Sequence, residues 1–315
     1  MERSWRESVC PEIRVAMKLL FLLLIPAVVF AQGPDCDSCI RVNTTCYNVT
    51  YLFDLDADFR KTVVINEMDL LRTDDILYYS FEPNIDDAEY YKVGFVNIAE
   101  PTNHGILTAS NYSLNLGTFD VDQVNNVIYL GGSDGVYKFD TKAKKFEHFS
   151  SHGDTILSLF YKNNVYFVRN SEKEIIVKKG NEFESILLDD KNGDPSNVRP
   201  KVTIKKFVIT NNNVVVFLSS FGLYVTTATK NADVFRLSQN PFFRGLTMDL
   251  DGEVYAWWLD GIYKVVLEDV LADSKVVKVA HVPTIGCMTF DNSNNILLTM
   301  DKSLFQMTKT NITAC

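Results

Sequence analysis

Short apolar runs, rich in β-branched and aromatic residues and bounded by Asn, Asp or Gly, recur along most of the chain. The clearest case spans residues 127–139, where the apolar run VIYL is followed by GGSDG and then by VYKF. Gly and Asp tolerate the positive φ angles of tight turns, so this segment predicts a β-hairpin. Helical periodicity is scarce, and its best candidate, residues 266–273, is short. The pattern therefore indicates an all-β protein.

The first strand of this hairpin recurs along the chain. Six copies can be matched, at residues 76–79, 127–130, 165–168, 214–217, 254–257 and 296–299. Their start-to-start spacings run from 38 residues (165 − 127) to 51 residues (127 − 76). Further apolar runs precede and follow many copies, which makes about four strands per unit. Units of this length and strand number predict a six-bladed β-propeller with mostly four-stranded blades, forming a single domain over residues 32–315.

The N-terminal region predicts secretion. Met17 and Lys18 precede an apolar run at 19–31 that ends with small residues at Val29 and Ala31, as a signal-peptidase site requires. The run is shorter than the ~20 residues that a membrane-spanning helix needs. We therefore expect residues 1–31 to be a signal peptide with an upstream extension, Met17 being an alternative start. The expected product is an extracellular monomer with no membrane contact.

Secretion makes the cysteines candidates for disulfides. Cys36, Cys39 and Cys46 cluster near the start of the predicted domain, and Cys315 is the last residue. We expect disulfide bonding within this group to tie the two ends of the ring together, with the pairing left open. Cys287, inside an apolar strand pattern, is the expected unpaired thiol. The same compartment predicts a glycoprotein, with sequons at Asn43, Asn48, Asn111 and Asn311.

The charge of the chain and its motifs limit the classes of function that the sequence supports. The net charge of −9 disfavours nucleic acid and anionic membranes as partners. The GGSDG segment matches the G-x-S-x-G pattern of a serine nucleophile, but a strand follows it where that motif needs a helix. No other catalytic, metal-binding or cofactor-binding motif stands out. We therefore predict a protein that is not an enzyme and has no cofactor.

Aromatic residues suggest a ligand site. Trp257 and Trp258 are adjacent, so in a strand their side chains face opposite ways and at most one packs between two blades. One interpretation is structural packing of both rings. The other is a flat aromatic ligand held by stacking, with a cation pairing its acidic group. The predicted ligand-binding residues are Trp257, Trp258, Arg244, Tyr129 and Lys205.

Several segments resemble the ommochrome-binding proteins of lepidopteran haemolymph. They are CDSC at 36–39, YLGGSDGVYK at 129–138, DGIYK at 260–264 and the terminal Cys315. The resemblance implies a secreted carrier that binds and transports ommochromes, which are planar, carboxylate-bearing phenoxazinone pigments derived from tryptophan through kynurenine. The pigment would be a bound ligand in the propeller channel. Two alternatives remain open: a propeller hydrolase or lactonase with a channel metal, and an extracellular protein-interaction module.

Overall fold

The computed structural model describes residues 39–85, 90–108, 114–170, 174–186, 203–229 and 232–311. These residues form six antiparallel sheets arranged as the blades of a propeller. Two strands, β1 (Cys39–Val42) and β2 (Thr45–Asp54), come first in the chain and complete the last blade. The predicted all-β, six-bladed propeller with mostly four-stranded blades is confirmed.

Five blades have four strands each. Blade one contains β3 (Ile65–Leu71), β4 (Ile76–Phe81), β5 (Lys92–Asn97) and β6 (His104–Ile106). Blade two contains β7 (Leu116–Asp122), β8 (Val127–Gly132), β9 (Gly135–Asp140) and β10 (Lys145–Ser150). Blade three contains β11 (Ile156–Lys162), β12 (Asn164–Arg169), β13 (Ile176–Lys179) and β14 (Glu182–Ser185). Blade four contains β15 (Ile204–Ile209), β16 (Val214–Ser219), β17 (Gly222–Thr227) and β18 (Phe235–Ser238).

The remaining strands form blades five and six. Blade five contains β19 (Gly245–Met248), β20 (Val254–Trp258), β21 (Gly261–Val266) and β22 (Lys275–Ala280). Blade six contains β23 (Ile285–Phe290), β24 (Ile296–Met300) and β25 (Ser303–Lys309), followed in the sheet by β2 and β1. The short helix candidate at 266–273 is reduced to a single 3-10 turn at Leu271–Asp273.

The first strand of each blade is its inner strand. The inner strands β3, β7, β11, β15, β19 and β23 contact one another in ring order, and β23 contacts β3. The six strands matched in the sequence are the second strands of the blades, and both faces of these strands are covered. In β4 and β16, for example, five of the six residues are buried. Neighbouring blades supply this cover, because the apolar clusters span adjacent sheets.

Turn chemistry sets the length of each inner strand. The turn from first to second strand contains a residue with positive φ in all six blades: Asp75, Asn126, Asn163, Asn213, Gly252 and Asn294. Asp, Asn and Gly adopt this conformation with the least strain. In the GGSDG segment, Ser133 is an exposed residue of the β8–β9 hairpin turn, as predicted.

The ring closes by strand pairing between its two ends. β2 pairs antiparallel with β25, and the Ser303 hydroxyl donates to the Asp54 carboxylate at 2.7 Å. Outside this sheet, the backbone N–H of Asn43 donates to the carbonyl of Val279 in blade five, at 2.7 Å. The N-terminal segment therefore holds blades five and six together.

The described residues include some of the cysteines and sequons but none of the predicted signal peptide. Cys46 and Cys287 are buried free thiols. Cys36, Cys315 and the side chain of Cys39 lie outside the described residues, so the disulfide between the ends stays a prediction. Asn43 and Asn311 are exposed and Asn48 is half-buried, whereas Asn111 and residues 1–31 lie outside the described part. Within that part, no helix is long and apolar enough to cross a membrane.

Candidate functional site

A cavity of about 320 Å³ lies on the axis of the propeller. All six inner strands contribute to its lining, and so do the turns that follow three of them, through Arg72, Gln123 and Asn163. We call the end of the channel at these turns the turn end. The volume falls within the ~300–1,000 Å³ that is usual for small-molecule sites.

One part of the wall is aromatic and apolar. Phe119, Phe160 and Phe207 come from three successive inner strands, and the Phe160 and Phe207 rings lie 6.1 Å apart between centroids. Met248 and Met288 add flexible side chains on the other side. Phe160 is the most exposed of the three rings, so it offers the largest contact surface to a flat, conjugated molecule.

Carboxylates form the second part of the wall. Glu67 and Asp69 are two residues apart on β3, and Asp120 lies on the neighbouring inner strand β7. One Glu67 oxygen accepts a hydrogen bond from the backbone N–H of Phe119 at 2.8 Å. The other lies 3.6 Å from the ammonium group of Lys206, which also donates to the carbonyl of Asn66. Glu67 and Lys206 therefore form a largely buried ion pair inside the channel.

Asp69 and Asp120 carry perturbed carboxyl groups. Asp120 accepts hydrogen bonds from the backbone N–H groups of Tyr161, at 2.6 Å, and Val121, at 2.8 Å. Burial raises the pKa of Asp120 well above its usual value, and the charge of Asp69 adds to the rise. Burial also raises the pKa of Asp69, with Arg72 the strongest opposing influence. The channel therefore favours a proton or another cation beside this pair.

Arg72 is held at the turn end by both neighbouring blades. Its backbone N–H donates to Gln123 Oε1 at 3.0 Å, and its carbonyl accepts from Asn292 Nδ2 at 2.9 Å. Its side-chain Nε is buried and has no hydrogen-bond partner among the described residues. An unpaired buried N–H group is costly unless a ligand satisfies it.

Of the five predicted ligand-binding residues, Trp257 alone lies in the cavity lining. Its indole is 2 % exposed, lies against Gly245 and donates from Nε1 to the carbonyl of Gly286 at 3.1 Å. Trp258 faces the other way, as strand alternation predicts. It is half-buried and stacks on the exposed Phe242 ring, with 5.8 Å between centroids.

The other three predicted residues are separated from the cavity. Tyr129 on β8 stacks on Tyr161, with 5.3 Å between ring centroids. Arg244 is exposed and donates to the carbonyl of Ile285 at 3.2 Å. Lys205 is exposed, whereas the next residue, Lys206, enters the channel. The structure therefore does not bring the five predicted residues together.

Sequence reasoning missed the charged groups of the channel. In β15 a β-bulge lies between Ile204 and Lys206, and Lys206 lines the channel whereas Lys205 is exposed. Equivalent bulges occur near the starts of β3, β7, β11 and β23. A usable signal did exist, because two acids spaced two apart on an inner strand share one face, as Glu67 and Asp69 do.

Metal and thiol chemistry find little support in the described part of the chain. No group of three or more His, Cys, Asp or Glu side chains there is arranged to hold a metal ion. Cys287 lines the cavity, but burial raises the pKa of its thiol to about 12. It therefore stays protonated at neutral pH and is a poor nucleophile.

In sequence the chain matches a known protein, and in fold it matches many solved structures. No protein-family model matches the chain. The chain is 24% identical over 302 residues to the ommochrome-binding protein of Manduca sexta, covering 92% of this chain and 98% of that protein. A gluconolactonase from Xanthomonas campestris superposes with a TM-score of 0.60 at 12% identity, covering 90% of this chain and 99% of that one. A streptogramin B lyase superposes with a TM-score of 0.56 at 9% identity, covering 84% and 98%. The two solved structures share the fold alone.

Proposed function

We propose that this chain is an extracellular, non-enzymatic protein that binds a planar aromatic pigment of the ommochrome class in its central channel. The observation that carries the proposal is the axial cavity of about 320 Å³, which combines aromatic walls with buried charges. The similarity to a protein named for ommochrome binding extends over 92% of the chain and supports the same ligand class.

The channel offers what such a pigment needs. Phe160 presents ring surface to a conjugated system, and Lys206 and Arg72 present positive charge to carboxylates. The net charge of −9 makes these buried cations the distinctive feature of the channel, because the rest of the surface repels an anionic ligand. Transport of pigment in haemolymph follows if binding is reversible.

The test is a titration of the purified secreted protein with an ommochrome. We expect a saturable change in the visible spectrum of the pigment and quenching of tryptophan fluorescence, since Trp257 lines the cavity. Colour that stays with the protein during gel filtration is the corresponding preparative observation. A pigment that neither changes its spectrum nor co-elutes would refute the proposal.

A pair of adjacent lysines supplies a matched control. Lys206→Met removes the buried channel cation and should weaken pigment binding by about tenfold or more, as loss of a charge-assisted contact does. Lys205→Met makes the same change on the exposed side of β15 and should leave affinity unchanged. Equal losses of pigment affinity in Lys206→Met and Lys205→Met would mean that the pigment does not lie in the channel.

A further inference from the structure

Among the cations of the channel lining, Arg72 carries the buried side-chain donor that lacks a partner in the described residues, which makes it the stronger candidate for binding the carboxylate of a ligand. The ammonium group of Lys162 donates to the carbonyl of Thr210 at 2.6 Å and to Asn213 Oδ1 at 2.8 Å. Lys206 is engaged by Glu67 and Asn66. The Nε of Arg72, by contrast, is buried and has no hydrogen-bond partner in the described part of the chain.

The geometry of Arg72 favours a carboxylate. The backbone on both sides of its Cα is fixed by hydrogen bonds from blades two and six, so the start of the side chain is anchored at the turn end. A guanidinium group binds a carboxylate through two parallel N–H groups, one of which is the N–H on Nε in the side-on arrangement. A ligand carboxylate at this end would satisfy the unpaired donor.

The complementary group is the pair Asp69 and Asp120. The Asp69 carboxyl lies close enough to Arg72 for the guanidinium to be the main influence that favours its charged form. Asp120 lies on the next inner strand and lines the same cavity, and its pKa is raised by burial and by the charge of Asp69. Two carboxyl groups this deep in the fold take up a proton or a cation more readily than they stay charged together.

The remaining ionisable groups of the lining do not cancel this arrangement. Asp122 accepts hydrogen bonds from the backbone of Val124 and from Asn125, and Glu67 is paired with Lys206. The lining residues of β19 carry no charge. The ionisable groups around the pair are Glu67, Arg72, Asp122, Tyr161, Lys162, Lys206 and Cys287.

We propose that the channel recognises the zwitterionic head group of an aromatic α-amino acid. The guanidinium of Arg72 binds the carboxylate, the pair Asp69 and Asp120 binds the ammonium group, and the aromatic part lies along the wall at Phe160. This inference rests on the proposed function, since it places the ligand in the same channel. It adds a specificity: the channel distinguishes ligands by a carboxylate and an ammonium group attached to the same carbon atom.

The test uses three probes that differ only in the head group, measured by isothermal titration calorimetry. L-tryptophan carries both charged groups, tryptamine lacks the carboxylate, and indole-3-propionate lacks the amine. We expect L-tryptophan to bind at least about tenfold more tightly than either truncated probe, because each lost charge-assisted contact weakens binding by that order. Equal affinities for the three probes would overturn the inference.

Two variants assign the groups. Arg72→Met should weaken L-tryptophan binding about tenfold and tryptamine binding by less, since Arg72 also favours the charged form of Asp69. Asp120→Asn should weaken L-tryptophan and tryptamine binding and leave indole-3-propionate binding unchanged. Arg236→Met, at an exposed arginine on the outer strand β18, is the matched control and should bind all three probes as the parent does. Thermal unfolding checks each variant, and Arg72→Lys replaces Arg72→Met if the latter does not fold.

The pigment titration separates this inference from the proposed function. If the pigment binds in the channel but none of the three probes binds at millimolar concentration, the head-group inference is wrong and the proposed function stands. If neither the pigment nor any probe binds, both are wrong. A loss of tryptamine binding in Arg72→Met as large as the loss of L-tryptophan binding would also contradict the inference, because tryptamine has no carboxylate for Arg72 to bind.

Discussion

The contact between Gly245 and Trp257 allows a sharp test of the channel wall. A Cβ atom built on Gly245 would lie 2.1 Å from Cζ2 and 2.3 Å from Cη2 of the Trp257 ring. Real side chains do not approach this closely, so Gly245→Ala must displace the indole. That ring is almost fully buried and holds a hydrogen bond of 3.1 Å to the carbonyl of Gly286.

The expected cost follows from these two effects. Overpacking of a buried site costs about 1–3 kcal/mol, and a strained or lost hydrogen bond adds about 1 kcal/mol. Gly245→Ala should therefore lower the free energy of unfolding by about 2–4 kcal/mol. In a Trp257→Leu background the clashing ring atoms are gone, so the same substitution should cost less than about 1 kcal/mol. The coupling between the two sites is then about 1–3 kcal/mol.

The assay is urea denaturation of the parent, the two single variants and the double variant, followed by far-UV circular dichroism. Trp258→Leu provides the control, because Trp258 faces away from Gly245 and is half-exposed. Its effect should add to that of Gly245→Ala within about 0.5 kcal/mol. Additivity of Gly245→Ala with Trp257→Leu would refute the packing described for this wall. A coupling of Gly245→Ala with Trp258→Leu as large as its coupling with Trp257→Leu would also refute this packing.

Three further outcomes are expected. Burial raises the pKa of Asp120, so its charge destabilises the fold as pH rises above about 4, the value for an unfolded chain. Asp120→Asn should therefore raise the urea midpoint at pH 7 and lose that gain below about pH 4; a gain that grows on acidification would contradict this. Gly222 has φ +131°, and a Cβ there would lie 1.9 Å from the carbonyl oxygen of Ser238, whereas Gly153 has φ +81° with open space around it. Gly222→Ala should therefore lower the free energy of unfolding by more than the ~1 kcal/mol expected for Gly153→Ala. Equal melting temperatures of the two variants would contradict this. Deletion of all residues up to the end of β2 should abolish the cooperative thermal transition, whereas deletion up to the end of β1 should only lower its midpoint. A folded protein that lacks β2 would exclude closure by strand pairing.

The repeat made most of the fold predictable. Residues 127–130 and their five counterparts are the second strands of the blades, where burial on both faces leaves an uninterrupted apolar run. Asn, Asp and Gly before these runs mark the positive φ positions, such as Asn126 and Asn213. The outer strand β2 was not predicted, because its partner β25 lies at the far end of the chain and no local pattern records such pairing. The sequence indicated that the ends meet, but it assigned that role to cysteines.

The site was predictable only in part, for a different physical reason. Alternation correctly separates Trp257 from Trp258, since β20 has regular pairing with both neighbours. Alternation fails in β15, where a bulge lies before Lys206 and the adjacent residues Lys206 and Phe207 both line the cavity. Asp69 and Asp120 look like ordinary polar residues near turns. They are buried because six strands meet on the propeller axis, and the residue pattern of a single strand does not show that meeting.

Closure by β2 also sets a timetable for biosynthesis. Asp54 and Ser303, joined by a hydrogen bond at the seam, are 249 residues apart in the chain. At a synthesis rate of about 5–20 residues per second, β2 waits about 12–50 s before its partner strand exists. During that time β1 can cover one edge of β2, but the edge that later pairs with β25 stays open to wrong partners. Blades one to five can form as the chain emerges, but the ring and its channel are completed only after β25 has been synthesised. We therefore expect ligand binding to begin only once β25 is present, and chaperones to act on this chain mainly through its first strands.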